Sequence, residues 1–398
     1  MQDLKKIRLG DVCKINVDSY STKEKWDFVN YLDTGNITNN TINSIQFIDL
    51  KNNKLPNRAK RKVKTDSIIY STVRPNQRHF GIIKSQPENF LVSTGFAVIE
   101  ADAGVLNADF LYYLLTQDTI VEVLHSIAEQ STSAYPAIKP SDIENLEIEI
   151  PDLSTQKKIA SILNSLDRKI VKNTEINNNL EQQISDIFKK MFGFNIDNLV
   201  ESKFKLGDLI ESIDNRGKTP PLSDKPTSYP IIDVKALSSN MRIVDYNKCS
   251  KYVDEETYNT WFRSGHPKQY DILFSTVGSL AEMKLFLGNV GCIAQNVVGF
   301  RSRGISSLYL YQYLKYIKND LVAYNIGSVQ PSIKITHIIK YPIYVASQDE
   351  INKFDSMARY ITEKIFANCQ ENENLKQLRD TLLPKLMSGE FDVSKIDL

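Results

Sequence analysis

Long apolar runs are missing from this 398-residue sequence. None approaches the ~18 consecutive residues of a membrane-crossing helix. The opening Met1-Gln2-Asp3-Leu4-Lys5-Lys6 has no apolar signal-peptide core, so no export signal is expected. Cysteine is scarce: Cys13, Cys249, Cys292 and Cys369 are scattered singly, with no CxxC pair. That excludes a disulfide framework and fits a reducing cytoplasm. Net charge is only +1, which excludes a uniformly basic nucleic-acid coat but not a local basic face. Catalytic signatures are missing too. There is no GxGxxG after a strand, no phosphate loop, no HExxH and no GxSxG. The four histidines stand alone, and no metal spacing or bound cofactor is expected. Asp233-Val234-Lys235 has the acid-x-Lys form of nuclease sites without a partner carboxylate, and reads as a strand edge. No Asn-Pro-Pro-aromatic signature of amino methylation occurs. The composition is that of a chain built to bind and not to react.

What is present is a repeat. Residues 136–192 align with 331–387 without a gap, at an offset of 195. Pro136-Ala137-Ile138-Lys139 faces Pro331-Ser332-Ile333-Lys334. Leu9-Gly10-Asp11-Val12 matches Leu206-Gly207-Asp208-Leu209, and Ile69-Tyr70-Ser71-Thr72-Val73 matches Leu273-Phe274-Ser275-Thr276-Val277. A period this long is no solenoid, whose repeats run ~20–50 residues. It implies two homologous domains and a pseudo-dimer.

Each copy reads as a mixed α/β module followed by one long helix. Alternation and β-branched content predict strands at 28–32, 67–71, 81–83, 96–99 and 146–150, then at 230–234, 271–274 and 341–345. Short helices are expected at 108–115 and 308–316. The domain expectation is a first module over 1–152, a central helix over 153–193, a second module over 194–346 and a distal helix with tail over 347–398.

The central helix is predicted from an N-cap at Ser154 to a stop at Gly193. The distal one is expected to end or kink near Leu383, because Pro384 has no amide donor. The stripes Ile159, Leu166, Asn173, Leu180, Ile187 and Phe354, Ile361, Asn368, Leu375, Leu382 keep a seven-residue step. Two helices of ~58 Å at 1.5 Å per residue overshoot a single module, so they are expected to pair as a coiled coil. Packing of each stripe on its own module is the alternative. Asn173 and Asn368 hold equivalent places and are predicted to meet near a pseudo-twofold axis.

The ordered set of motifs carries a resemblance. It comprises Leu32-Asp33-Thr34-Gly35-Asn36-Ile37, Ser71-Thr72-Val73-Arg74-Pro75, Pro151-Asp152-Leu153-Ser154-Thr155-Gln156 opening a long helix, Arg216-Gly217-Lys218-Thr219-Pro220 and Leu386-Met387-Ser388-Gly389-Glu390-Phe391. Over essentially its whole length the chain resembles the DNA-specificity subunits of type I restriction–modification systems. The resemblance implies two target-recognition modules, each reading half of a bipartite duplex DNA target. It implies two antiparallel helices that hold the modules apart and dock methyltransferase subunits, two of them. Those partners would methylate adenine N6 with S-adenosylmethionine. A restriction and translocase subunit, with ATP and Mg, would join through the complex. The chain itself would be non-catalytic. In copy two, Ile351 replaces Gln156 and Ala346 replaces Pro151, so the second helix opening departs from the pattern.

Under that reading, the residue types suited to base edges and phosphates become candidates. In copy one they are Arg74, Asn76, Gln77, Arg78 and His79 for bases, and Arg58, Lys60, Arg61 and Lys62 for phosphate. Ser133 and Tyr135 precede the shared Ile-Lys segment. In copy two the matching places hold Asn215, Arg216, Lys218, Thr219, Ser279, Lys284, Ser328 and Gln330. Tyr135 and Trp261 could stack or pack, and for single aromatics core packing is the better role. A coiled-coil adaptor with two protein-binding heads, and a fused methyltransferase or nuclease without known motifs, are the rival readings.

Overall fold

The computed structural model describes residues 4–131, 135–288, 290–293, 295–327 and 329–393. The chain divides into two compact units, residues 1–169 with 374–398, and residues 170–373. Each long helix therefore contributes residues to both units.

Unit 1 is built on two four-stranded sheets. One is antiparallel and orders Cys13–Ile15, Phe96–Ala101, Ile68–Ser71 and Phe80–Ile82. The other orders Gln46–Asp49, Phe28–Leu32, Phe90–Ser93 and Ala59–Arg61, with the middle two strands parallel. Successive side chains of a strand face opposite ways. Ile69 and Val98 accordingly join Leu32 and Val92 in one cluster, while Ile68, Tyr70 and Ile99 join Phe110 and Leu111 in another. Both faces are covered, which explains why these strands read as continuous apolar runs. Lys5–Arg8 pairs with Glu147–Ile150.

Unit 2 repeats this plan. Ile210–Ile213, Val297–Ser302, Ile272–Ser275 and Met283–Leu285 form the antiparallel sheet in the same order. Tyr252–Val253, Tyr229–Ile232 and Cys292–Ile293 form the second, again with one parallel pair. Phe204–Lys205 pairs with Pro342–Ile343. Helices Ala108–Leu115 and Ser307–Tyr316 occupy matching places, capped by Asn107 and Ser306. A helix over Asp118–Glu129 was not foreseen, because Thr116-Gln117 divides it from its neighbour without a glycine or proline.

The long helices span Leu153–Phe188 and Gln348–Met387. They start at equivalent places. Asp152, not Ser154, caps the first: its carboxylate accepts from the Ser154 and Thr155 amides at 2.9 and 3.1 Å. Ser347, its equivalent, exchanges bonds with Glu350. Gln156 is buried and fastens the helix start to Asn107 N, Val105 O and Pro151 O. With Ile351 in that place, copy two instead bonds Ser306 to Asp355.

The predicted stop at Gly193 is corrected, and the distal helix does not end at Leu383. Gly193 is helical and closes a π-turn that runs on into Phe194–Asp197. Its missing Cβ admits the Tyr316 hydroxyl, 3.0 Å from where that atom would stand. Pro384 lies inside its helix, and burial of Leu386 and Met387 holds the last turn on the unit 1 core.

The stripes are only partly a helix–helix seam. In unit 1, Ile159 and Leu163 sit in the module core, joined by Leu386 and Met387, and Leu166, Leu375 and Leu382 are half-buried. In unit 2, Phe354 and Ile361 enter the core with Ile184 and Phe188, and Leu180 and Ile187 pack at its margin. Between these apolar stretches, unit 2 pairs the helices antiparallel through buried asparagines. Asn173 and Asn368 face inward, 2% and 3% exposed. They do not bond each other. Asn173 donates to Asn372 at 2.9 Å and to Glu371 at 2.7 Å, and Asn368 donates to Asn177 at 2.8 Å. The offset of 195 exchanges these two pairs, so the local symmetry holds with contacts displaced by one helical turn.

Candidate nucleic-acid interface

In unit 1 the buried strand Ile68–Ser71 delivers the chain to a surface loop. Thr72 N and Oγ1 donate to Gly95 O at 2.9 and 3.0 Å. Arg74 N donates to Pro136 O, and Ile138 N to Thr72 O. Three loops, at 72–79, 93–95 and 135–138, are thereby tied into one frame. Thr94 N donates to Arg58 O at 2.8 Å, which sets Arg58 beside it.

Arg74 adopts a left-handed backbone, φ 48°. Its guanidinium lies 5.1 Å from the ring centroid of Tyr135, which is 61% exposed. The stacking holds an exposed Arg fork in one orientation, with no hydrogen-bond partner for its donors among the described residues. Asn76 and Gln77 are exposed beside it, and Arg58 and Lys60 are exposed across the Gly95 turn. Arg78 is engaged instead, with Asp118 and with the Thr116 carbonyl. His79 Nδ1 donates to Ile37 O at 2.6 Å and Nε2 lies 3.2 Å from the Gln77 amide, so the ring buttresses the loop.

The basic run is less free than its composition suggests. Lys62 is corrected as a phosphate grip: its ammonium lies 2.6 Å from Glu24 and 3.8 Å from Asp18, over Trp26. That hydrogen bond holds the Glu24 carboxyl below its usual range. Arg61 is half-buried in its strand, and burial lowers its pKa. Ser133 and Ser328 lie outside the described residues.

Unit 2 rebuilds the frame with other side chains. Gly278 N donates to Pro331 O at 3.0 Å, Ile333 N to Thr276 O at 2.9 Å, and Thr276 N to Asn296 O at 2.8 Å. Gly278, φ 84°, takes the left-handed place of Arg74. Lys218, Thr219, Ser279 and Gln330 are exposed. Gln295 Nε2 donates to Thr219 Oγ1 at 2.7 Å. Gln295 was missed as a candidate. Its signal lay in aligning 297–300 with the strand at 96–99, which sets Gln295 opposite Thr94.

Three expectations in unit 2 are overturned. Asn215 is buried, donating to Gly265 O and accepting from Ser264 N. Arg216 is spent on a two-point pairing with Asp214, at 2.8 and 2.6 Å. Lys284 lies in the strand Met283–Leu285, is 2% exposed, and donates to the Ser239 and Met241 carbonyls. Trp261 packs partly buried on Phe262. Asp233 caps a helical turn through Lys235 N. Among the described residues no group of three or more His, Cys, Asp or Glu could hold a metal ion, and no helix is long and apolar enough to cross a membrane.

Comparisons with known proteins agree with the doubled frame. Residues 1–182 and 200–365 each match the type I restriction modification DNA specificity domain. The type I restriction enzyme HindI specificity subunit of Haemophilus influenzae is 27% identical, over 98% of this chain and 100% of that one. The MjaIX specificity subunit of Methanocaldococcus jannaschii is 24% identical, over 99% and 94%. Among solved structures, the type I restriction–modification S subunit from M. genitalium shares the fold with a TM-score of 0.55 at 15% identity, over 97% and 96%. With the domain matched twice and both matches falling on the three-loop frames, the chain belongs to the family of type I restriction–modification DNA-specificity subunits.

Proposed function

We propose that each α/β module reads one half of a bipartite duplex DNA target, and that the chain does no chemistry itself. The observation that carries this is the frame of three tied loops, present twice with different side chains at equivalent places. Arg74, Asn76 and Gln77 serve one half, and Lys218, Thr219, Ser279, Gln295 and Gln330 the other. Arg58 and Lys60 hold the backbone, which fixes register without reading sequence. The paired helices space the two readers and dock two methyltransferase subunits. S-adenosylmethionine, ATP and Mg belong to those partners and to a restriction subunit. The setting is the cytoplasm.

The test exchanges residues 20–135 for the matching segment of a relative and selects bound sites from randomised duplex. One half-site should change and the other remain. Both halves changing together would overturn modular reading. An affinity for duplex that ignores salt would favour an adaptor. Methyl transfer by the purified chain alone would show a hidden catalytic centre.

A further inference from the structure

The grips assigned to unit 1 are Arg58 and Lys60. Aligning Ile69 with Leu273 sets Phe262 and Ser264 at their places in unit 2, with Arg263 between them. The antiparallel sheet shows where that segment lies. Ile210–Ile213 and Ile272–Ser275 both run antiparallel to Val297–Ser302, so they are parallel to each other and finish at the same end of the sheet. The loop 214–219 therefore leaves the sheet at the end that carries the loop 276–279. Gln295, just before the strand between them, joins that loop through Thr219.

The segment 263–265 is strapped to this end. Buried Asn215 donates to Gly265 O at 3.0 Å and accepts from Ser264 N at 2.9 Å. Ser264 Oγ donates to Asp214 O at 2.7 Å, and Arg263 Nη2 to Arg216 O at 3.1 Å. Unit 1 makes the same tie with main chain alone: Tyr20 N donates to Lys60 O at 2.8 Å, and Lys62 N to Asp18 O at 3.3 Å. The two units thus hold the same segment against the same loop by different bonds.

Arg263 is exposed, yet its backbone is clamped on both sides. Phe262 is buried, its ring 4.9 Å from those of Trp261 and His266. Asn215 fixes Ser264 and Gly265. Asp214 is taken up on both oxygens by Arg216, and Arg263 forms no ion pair among the described residues. Most of its five N–H donors remain for a ligand. A guanidinium on a fixed backbone gives up less freedom on binding, and its fork fits two phosphate oxygens at once.

We propose that Arg263 grips the DNA backbone for unit 2, donating to phosphate oxygens as Arg58 and Lys60 do for unit 1. The inference rests on the reading of both modules as DNA readers. It separates the second module's hold, by Arg263, from its choice of sequence, by Lys218, Thr219, Ser279, Gln295 and Gln330.

The experiment measures binding of the full chain to its selected duplex and to a scrambled duplex across a sodium chloride series. Wild type should bind less tightly as salt rises. Arg263→Gln, checked for native circular dichroism, should weaken both duplexes alike and flatten the slope of log affinity against log salt by about one unit. Selection from randomised duplex should return the same second half-site. Arg263→Lys keeps the charge and should keep the slope. Lys340→Gln, at the opposite end of the sheet where Leu206 N donates to Tyr341 O, should leave it unchanged. An unaltered slope in Arg263→Gln overturns the proposal, as does a loss that lysine fails to rescue. So does a changed half-site, since Arg263 would then act only as a strut on the 216 carbonyl. Equal flattening by Lys340→Gln overturns it too, as an effect of net charge alone. Salt-independent binding by wild type is the distinct failure of the DNA reading itself, and takes this inference with it.

Discussion

The two modules share a backbone and part company at their loops. The left-handed corner after the central strand is Arg74 in one and Gly278 in the other. L-residues enter that conformation at a cost of roughly 1–2 kcal/mol, so an arginine there is strained where a glycine is not. In unit 1 the strained corner carries a stacked guanidinium. In unit 2 the corner is bare, and the polar groups come from Thr219 and Gln295 beside it. The backbone bonds from Thr72 and Thr276 are the same, so the loops vary without disturbing their support. The modules also differ beneath the loops. Unit 1 ties its helix segments with the half-buried pair Asp167–Arg379, at 2.7 Å, whereas unit 2 buries Arg242 and Glu181.

The sharpest way to break the comparison is Arg242→Ala. It leaves the buried Glu181 with only Lys315 and the main-chain amide of residue 242, and should cost unit 2 about 3–5 kcal/mol. Arg379→Ala in unit 1 should cost about 1 kcal/mol or less. Urea melts followed through Trp261 for unit 2 and Trp26 for unit 1 would read the two; equal losses would erase the distinction. Next in size is the asparagine seam. Asn372→Leu leaves the Asn173 amide short of a partner and should lower stability by about 1–3 kcal/mol. Changing Asn173, Asn177, Asn368 and Asn372 together to Leu should raise the melting temperature. A neutral single change would mean that the bonds carry no net stability.

Arg74→Gly gives unit 1 the corner of unit 2. It should cost about 1–3 kcal/mol of discrimination at one base position and nothing at the other half-site, measured by selection from randomised duplex. Lys60→Ala should instead weaken all sequences and flatten the salt slope by about one unit. A different kind of contrast is a pH slope confined to unit 2. Burial lowers Lys284 from 10.5 to about 7. Between those values the unfolded chain holds the extra proton, so stability rises with pH, at up to about 1.4 kcal/mol per unit, and levels off above 10.5. Lys284→Met should remove the slope from a series of melts between pH 7 and 10.

Much of this was legible in the sequence, because repeat and period survive divergence. The strand at 28–32 and the helix at 108–115 stand where alternation and stripe place them. The loops were harder. Asn215 and Lys284 have the residue types of readers, but their partners are carbonyls at 265 and at 239 and 241, supplied by segments distant in sequence. Lys62 looked free in a run without acids, yet Glu24 and Asp18 reach it from another loop. Asn173 and Asn368 were rightly read as facing inward. A seven-residue step does not tell which turn of the opposing helix each amide meets, and the true partners lie four residues on.

Unit 1 is assembled from residues at both ends of the described chain, with unit 2 inserted between them. A ribosome therefore completes every residue of unit 2 before releasing the last segment that unit 1 needs. Until Leu382, Leu386, Met387 and Val393 arrive, the apolar surface they cover around Ile159 and Leu163 stays open. The second module made is therefore expected to be the first to complete its core, against the usual N-terminal-first order. A released chain truncated after residue 375 should resist protease across 200–350 and be cut readily within the first hundred residues.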